Sequence, residues 1–164
     1  MSISPRACFF TGHRIIETKR RREVEGWLRE KILDKINDKV EIFITGGALG
    51  FDTMAAEQVL FMRKDYQDIR LWLYLPCTNQ DREWTPSERD KYEEIKKQAD
   101  KVCYISKSEY TDGCMKKRNR AMVDAADCGI AYVKTSHSGA AQTVKMAMKK
   151  GLDVVNIADI LEEN

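Results

Sequence analysis

The sequence lacks several features that define other classes of protein. No apolar run approaches the roughly 20 residues of a membrane-spanning helix, and residues 1–6 do not have the pattern of a secretory leader. Five scattered cysteines include no C-x-x-C pair, which argues against a disulfide framework and a structural zinc site. The formal net charge is only +2, so the protein as a whole has no strong electrostatic attraction for nucleic acid. We therefore expect a cytoplasmic protein with no membrane association and no bound metal.

The composition is that of an ordinary globular domain. The chain has 164 residues, of which 43% are hydrophobic and 33% are charged. A chain of this length forms one hydrophobic core, and it contains no internal repeat, low-complexity tract or linker. We predict a single domain over residues 1–164.

Short apolar segments alternate with helical patterns along the whole chain. Val24, Leu28 and Ile32 lie on one stripe of a helix, and Thr85-Pro86 with Glu88 is a strong helix-start signal. This alternation predicts an α/β fold with a doubly wound, mainly parallel sheet in a three-layer α/β/α arrangement. The predicted strands are residues 7–11, 40–45, 69–75, 101–105, 129–133 and 154–157.

Ligands of such sheets bind beyond the carboxyl ends of the strands. The end of the second strand, residues 45–52, is rich in glycine, so its backbone can turn tightly and approach a ligand. The helix that follows offers unpaired N–H groups and the positive end of its dipole to an anion. The alternative is an ordinary turn in which Asp52 or Thr53 caps the helix.

Two other strand ends carry suitable side chains. Arg14, after the first strand, has the geometry to hold a phosphate or carboxylate through two hydrogen bonds, whereas His13 is best explained as an ordinary loop residue. Residues 135–141, after the fifth strand, offer hydroxyl and N–H donors or simply cap a helix. Residues 116–120, four of which are basic, either contact a ligand over the fifth strand or form a solvated face, and the basic residues 19–22 are expected to form a solvated face that opens the first helix.

Common nucleotide-binding motifs are absent. Phe51 and Asp52 follow Gly50 where a P-loop needs lysine, and the glycine spacing is not that of a dinucleotide-binding fingerprint. No acidic residue closes the third strand, and no Ser-His-Asp arrangement or metal-ligand cluster can be read from the spacing.

Three segments resemble one known superfamily. Residues 45–57, residues 117–127 and residues 138–143 resemble, in the same order, motifs of DNA-processing protein A. They are also similar to YpsA-like proteins and, more distantly, to LOG-type nucleoside-monophosphate phosphoribohydrolases, which together form the SLOG superfamily. This resemblance implies a Rossmann-like fold that binds a nucleotide of the AMP, ADP-ribose or NAD type, and relatives suggest a homodimer. The implied binding residues are Thr11, Gly12, Arg14, Gly46, Gly47, Gly50, Asp52, Arg118, Asn119, Ser138 and Gly139.

One departure from the superfamily bears on activity. LOG enzymes have a glutamate in the segment that corresponds to residues 138–145, and this chain has none there. Glu57 or Glu17 would have to replace it for glycosidic-bond cleavage. We therefore expect binding or sensing of a nucleotide rather than catalysis. A LOG-type hydrolase and single-stranded DNA binding, for which Trp84 and Tyr110 are available stacking residues, are the alternatives.

Overall fold

A computed structural model describes residues 4–163 of the chain, so residues 1–3 and 164 of the predicted domain lie outside the described range. Within it, six strands form a single sheet, and each lies within one residue of its predicted bounds. The strands are β1 (Arg6–Gly12), β2 (Val40–Thr45), β3 (Arg70–Leu75), β4 (Lys101–Tyr104), β5 (Cys128–Tyr132) and β6 (Asp153–Asn156).

Six α-helices connect or follow the strands. They are α1 (Arg21–Asn37), α2 (Phe51–Met62), α3 (Pro86–Gln98), α4 (Cys114–Ala125), α5 (Gly139–Lys149) and α6 (Ile157–Glu163). The predicted start of α3 is confirmed as a capping box, in which the Glu88 N–H donates to Thr85 Oγ1 at 3.2 Å and the Thr85 N–H donates to Glu88 Oε1 at 2.9 Å. Within residues 4–163, no helix is both long enough and apolar enough to cross a membrane.

Two details of the helices differ from the prediction. Basic residues 19–22 were expected to open the first helix, but Thr18–Arg20 form a separate 3-10 turn and α1 begins at Arg21. Helix α6 was not predicted, because its seven residues are too few to show a helical period.

The strand order β4-β3-β2-β1-β5-β6 is parallel throughout, so the sheet is doubly wound from β1. The chain proceeds from β1 to β4 in one direction, with α1, α2 and α3 packed together on one face. It then crosses back to β5 and β6, and right-handed crossovers place α4 and α5 on the opposite face. This is the predicted Rossmann-like, three-layer fold.

Each face of the sheet has its own apolar core. Cys8 and Phe10 of β1 point into the core beneath α1 and α2, whereas Ala7 and Phe9 point into the core beneath α4 and α5. The direction of winding reverses between β1 and β5, so the loops after these strands diverge to opposite faces and leave a crevice. Both loops contain residues of the predicted binding set.

Candidate functional site

A cavity of about 320 Å³ lies at this crevice, and we call it the glycine-turn cavity. It brings together seven of the eleven predicted binding residues, although they come from four separate parts of the chain. The other four predicted residues, Gly46, Gly47, Gly50 and Asn119, do not line it. The lining residues are Thr11, Gly12, His13, Arg14, Ala48, Asp52, Arg118, Ser138, Gly139 and Ala140.

The end of β1 is fastened to the start of α2. The Phe51 N–H donates to the His13 carbonyl at 3.0 Å, and a Cβ on Gly12 would lie only 2.6 Å from the Phe51 ring. Gly50 has a φ of +79°, and a Cβ there would overlap the carbonyls of His13 and Arg14. Gly12 and Gly50 therefore allow two strand ends to meet, and this contact forms one wall of the cavity.

Arg118 of α4 is hydrogen-bonded to the backbone of residues 46–50, which we call the glycine turn. Its side chain is 4% exposed, and Nη1 donates to the Gly46 carbonyl at 2.6 Å. Nε donates to Asn119 Oδ1 at 2.8 Å, so Asn119 orients the guanidinium rather than lining the cavity. A Cβ on Gly46 would overlap the guanidinium, which explains why glycine is needed here. Arg118 thus has a structural role that the sequence did not predict, alongside its place in the cavity lining.

The positive charge of Arg118 is buried, and the side chains described for residues 4–162 give it no contact ion pair. Among them, no carboxylate lies within 4.0 Å of either Arg118 or Arg14. Burial lowers the pKa of Arg118 from its ordinary value, while the more distant Asp52 acts to raise it. A guanidinium that is desolvated and not neutralised attracts an anion.

Asp52 is the carboxylate that lines the glycine-turn cavity. It is 6% exposed, and Oδ2 accepts the Ala48 N–H at 3.2 Å, so the side chain folds back onto the turn. Gly50 rather than Asp52 or Thr53 occupies the cap position of α2, and Thr53 donates to the Ala48 carbonyl at 2.9 Å. Burial raises the pKa of Asp52 to about 6, although Arg118, the Ala48 N–H and Arg14 oppose the shift.

The start of α5 forms the opposite wall. Ser138 caps this helix, since its Oγ accepts the Ala141 N–H at 3.0 Å, and this is the alternative that the sequence left open. The N–H groups of Gly139 and Ala140, in the first turn, have no acceptor within the helix. They add the positive end of a helix dipole to the two arginines. Ser138 can therefore cap the helix and line the cavity at once.

The two glutamates considered for catalysis lie elsewhere. Glu57 pairs with Lys91 at 3.5 Å beside α3, and Glu17 pairs with Lys134 at 2.7 Å on the surface. Neither lines the glycine-turn cavity. His13 Nε2 accepts the Lys134 N–H at 2.7 Å, and burial, followed by the charge of Lys134, lowers the pKa of this imidazole. His13 is therefore a loop residue whose ring nitrogen is satisfied by a neighbouring backbone donor.

Sequence reasoning missed one buried contributor, Gln80. Its Nε2 donates to the Gly46 carbonyl at 3.2 Å and to the Tyr92 hydroxyl at 2.9 Å, which ties the glycine turn to α3. Gln80 lies in the irregular loop after β3 and belongs to no periodic pattern, so the sequence carried no signal for it.

A larger space of about 590 Å³ lies between α4 and α5, and we call it the basic groove. The basic segment 116–120 divides between the two spaces, because Arg118 lines the glycine-turn cavity whereas Lys116 and Arg120 line the groove. Although larger, the groove contains no strand end and none of the predicted binding residues. Its charged lining residues are Lys116, Arg120, Asp124, Lys145, Lys149 and Lys150.

Sequence comparison with known proteins identifies one family and relatives that match most of the chain. A sequence model of the family described as the YspA SLOG family matches residues 9–158. A UPF0398 protein of Bacillus cereus (strain B4264) is 29% identical over 147 residues, which cover 83% of this chain and 80% of the relative. A UPF0398 protein of Bacillus thuringiensis (strain Al Hakam) shows the same identity and coverage.

Two solved structures share the fold. DNA processing protein A of Streptococcus pneumoniae superposes with a TM-score of 0.62 at 19% identity over 92% of this chain, which spans only 49% of that protein. DNA processing protein A of Helicobacter pylori, whose structure concerns single-stranded DNA binding, gives a TM-score of 0.63 at 18% identity. This second match covers 97% of this chain and 72% of the other.

Proposed function

The chain belongs to the YspA SLOG family, and from this premise we propose that its glycine-turn cavity binds a nucleotide or a nucleotide derivative through a phosphate group. The observation that carries the proposal is the convergence of three strand ends on Arg118, a buried cation that has no contact ion pair among the side chains described for residues 4–162. Candidate ligands are AMP, ADP-ribose and NAD.

The charges and donors of the cavity suit a phosphate. Arg14 and Arg118 provide two guanidinium groups, and the first turn of α5 provides backbone N–H groups. Helix N-termini and arginines are the common protein partners of phosphate oxygens. With a volume of about 320 Å³, the cavity is at the lower limit of small-molecule sites. It therefore fits one end of a nucleotide rather than the whole molecule.

Binding is favoured over cleavage. Asp52 is the carboxylate in the cavity lining, and its Oδ2 is engaged by the Ala48 N–H. Neither Glu17 nor Glu57, the glutamates that would have to replace the missing one, lines this cavity. The alternative activity, a nucleoside-monophosphate phosphoribohydrolase, would require Asp52 to act alone. Release of free base from AMP by the wild type, lost in Asp52→Asn, would favour the enzyme over the binding module.

The binding proposal is tested by thermal shift with AMP, ADP, ADP-ribose, NAD and cyclic nucleotides. A ligand at 100 times its dissociation constant stabilises the folded state by about 2.7 kcal/mol. Arg14 is the variant of choice, because its side chain is exposed and Arg14→Ala removes a phosphate partner without disturbing the core. Arg22→Ala, an exposed arginine outside the cavity, is the matched control.

We expect at least one nucleotide to raise the melting temperature of the wild type and of Arg22→Ala, with a smaller rise for Arg14→Ala. If no compound stabilises the wild type, the proposed function is wrong. An equal rise in all three proteins would place the ligand outside the glycine-turn cavity.

Single-stranded DNA binding is a second candidate, and the observation that favours it is the basic groove. The groove has five cationic side chains and one carboxylate, an excess of four positive charges on a chain whose formal net charge is +2. A polyanion fits this asymmetry through its phosphates. The Helicobacter pylori structure concerns single-stranded DNA, but at 18% identity it supports the fold alone.

The test is fluorescence anisotropy with a labelled oligothymidine over a range of salt concentrations. Three or four phosphate contacts would give a slope of log K against log salt of roughly −2 to −3. Lys149→Glu in the groove should weaken binding, whereas Lys97→Glu, an exposed lysine on α3, should leave it nearly unchanged. No binding at low salt, or an equal effect of the two variants, would exclude the groove as a DNA site.

A cytoplasmic location is part of this proposal. All five cysteines are free thiols, and four of them are buried. Free thiols are typical of a reducing compartment.

A further inference from the structure

A second cavity, of about 540 Å³, adjoins the glycine-turn cavity, and we call it the Trp84 cavity. Arg14 lines both cavities. Gly50, which also lines the Trp84 cavity, packs closely against the Arg14 backbone, because a Cβ on Gly50 would overlap the Arg14 carbonyl. A ligand that extends past Arg14 would enter both.

Five of the eleven residues that line the Trp84 cavity have apolar or aromatic side chains. Ile15, Ile16 and Leu49 line it together with Trp84 and Tyr92. Ile15 is 84% exposed, the highest value among the large hydrophobic side chains described as exposed. An exposed apolar side chain beside an aromatic cavity is a surface that a ligand ring would remove from water.

The backbone at Trp84 is held by hydrogen bonds. The Trp84 backbone N–H donates to the Asp81 carbonyl at 3.1 Å, and Arg89 Nε donates to the same carbonyl at 2.9 Å. The capping box at Thr85 fixes the next residue, and the Trp84 and Tyr92 rings pack edge to face with centroids 5.0 Å apart. An aromatic side chain on a fixed backbone offers a stacking surface at little cost in conformational entropy.

Four charged side chains also line the Trp84 cavity, namely Arg14, Arg21, Glu88 and Lys91. Glu88 is engaged in the capping box, and Lys91 pairs with Glu57 at 3.5 Å. Arg14 and Arg21 have no carboxylate within 4.0 Å in the part of the chain that the structure describes. The Trp84 cavity thus combines uncharged aromatic and aliphatic side chains with cations, one of which, Arg14, also lines the glycine-turn cavity.

We propose that the Trp84 cavity holds the base of the nucleotide whose phosphate occupies the glycine-turn cavity. This assignment rests on the proposed function and adds to it that recognition extends beyond the phosphate to a flat heterocycle. Arg14 then lies between the two ends of the ligand, where it neutralises the phosphate.

The test compares ligands that differ only in the base. Ribose 5-phosphate and the monophosphates of adenosine, guanosine, cytidine and uridine are titrated calorimetrically into the wild type, Trp84→Leu and Trp84→Phe. Trp27→Leu is the matched control, because Trp27 is also half-buried against the same core but lies on α1 outside the cavity. Quenching of tryptophan fluorescence by the nucleotide is the second readout.

We expect at least one nucleotide to bind the wild type about 10-fold to 100-fold more tightly than ribose 5-phosphate, as stacking of one base implies. Trp84→Leu should abolish this difference and leave ribose 5-phosphate unchanged. Trp84→Phe should keep most of the affinity but lose the quenching, and Trp27→Leu should behave as the wild type.

The outcomes separate the two proposals. If neither ribose 5-phosphate nor any nucleotide binds the wild type, the proposed function itself fails, and the base site fails with it. If the nucleotides and ribose 5-phosphate bind with equal affinity, only the base site is wrong. The same holds if Trp84→Leu weakens both kinds of ligand equally, since its effect would then be structural.

Discussion

At the scale of single residues, two contacts define the glycine-turn cavity. Arg118 donates to the Gly46 carbonyl from below, and Asp52 accepts the Ala48 N–H from the side. Both side chains are ionisable and buried. Each therefore stabilises the turn only while its polar atoms keep their hydrogen bonds to the backbone. Substitutions here test how the turn is held.

Gly46→Ala should destabilise the protein by about 1–3 kcal/mol, because the new Cβ would overlap the Arg118 guanidinium. Gly26→Ala is the control, since Gly26 lies within α1 and a Cβ there meets nothing within 4 Å. That control should be more stable by about 0.5–1 kcal/mol. Urea unfolding measures both, and a loss below about 0.5 kcal/mol for Gly46→Ala would mean that Arg118 moves freely.

Asp52 should make the stability depend on pH. Its pKa is about 6 in the folded protein, against an ordinary value of 3.8. Because the folded value is the higher one, the contribution of Asp52 is complete below pH 3.8 and is lost as the pH rises through about 6. The loss is about 3 kcal/mol. The free energy of unfolding of the wild type minus that of Asp52→Asn should therefore fall by this amount between pH 4 and pH 7.

Subtracting the variant cancels the titration of every other group, so urea unfolding at four pH values suffices. A difference that stays constant with pH would show that Asp52 is hydrated and not buried in solution.

At the scale of elements, the crossover from β4 to β5 builds the cavity. Helix α4 passes beneath β3 and β1 on its way back across the sheet, which brings Arg118 under the loop after β2. Helix α5 then starts at the crevice and directs its first turn into the cavity. Two helices on one face thus supply the cation and the N–H donors.

The cap of α5 allows folding and binding to be separated. Ser138→Asp should keep the helix, because aspartate caps as well as serine and favours the helix dipole. The new carboxylate would repel a phosphate in the cavity that Ser138 lines, so nucleotide binding should weaken by at least about 10-fold. Ser138→Asn, an uncharged cap, should retain more of the binding. Calorimetry with circular dichroism distinguishes loss of ligand from loss of helix, and unchanged binding in Ser138→Asp would place the phosphate elsewhere.

At the scale of the whole molecule, the fold buries four of the five cysteines. Cys8 and Cys128 are partners on adjacent strands, Cys77 and Cys114 are also buried, and Cys103 is half-buried. We expect an aromatic disulfide reagent to modify at most one thiol in the native protein and five after unfolding in guanidinium. Rapid reaction of more than two native thiols would mean that the cores open readily.

The sequence by itself determined the elements and the way they are wound. Local periodicities of 2 and 3.6 residues, together with caps such as Thr85, depend on neighbours within a few positions, so six strands and five helices were predicted from the chain alone. Alternation of strands and helices, combined with right-handed crossovers, then fixed a doubly wound parallel sheet. The motif resemblance to the SLOG superfamily is confirmed by the family match.

Only the tertiary structure decided what the site residues do. The Gly46–Arg118 contact joins positions 72 residues apart, and no local pattern shows that Asn119 orients Arg118 or that Gln80 holds the same carbonyl. The placement of Glu57 outside the cavity and the raised pKa of Asp52 likewise depend on burial against distant parts of the chain. A side chain's direction and solvation are set by everything that packs around it, and that packing exists only after the sheet has closed between its two layers of helices.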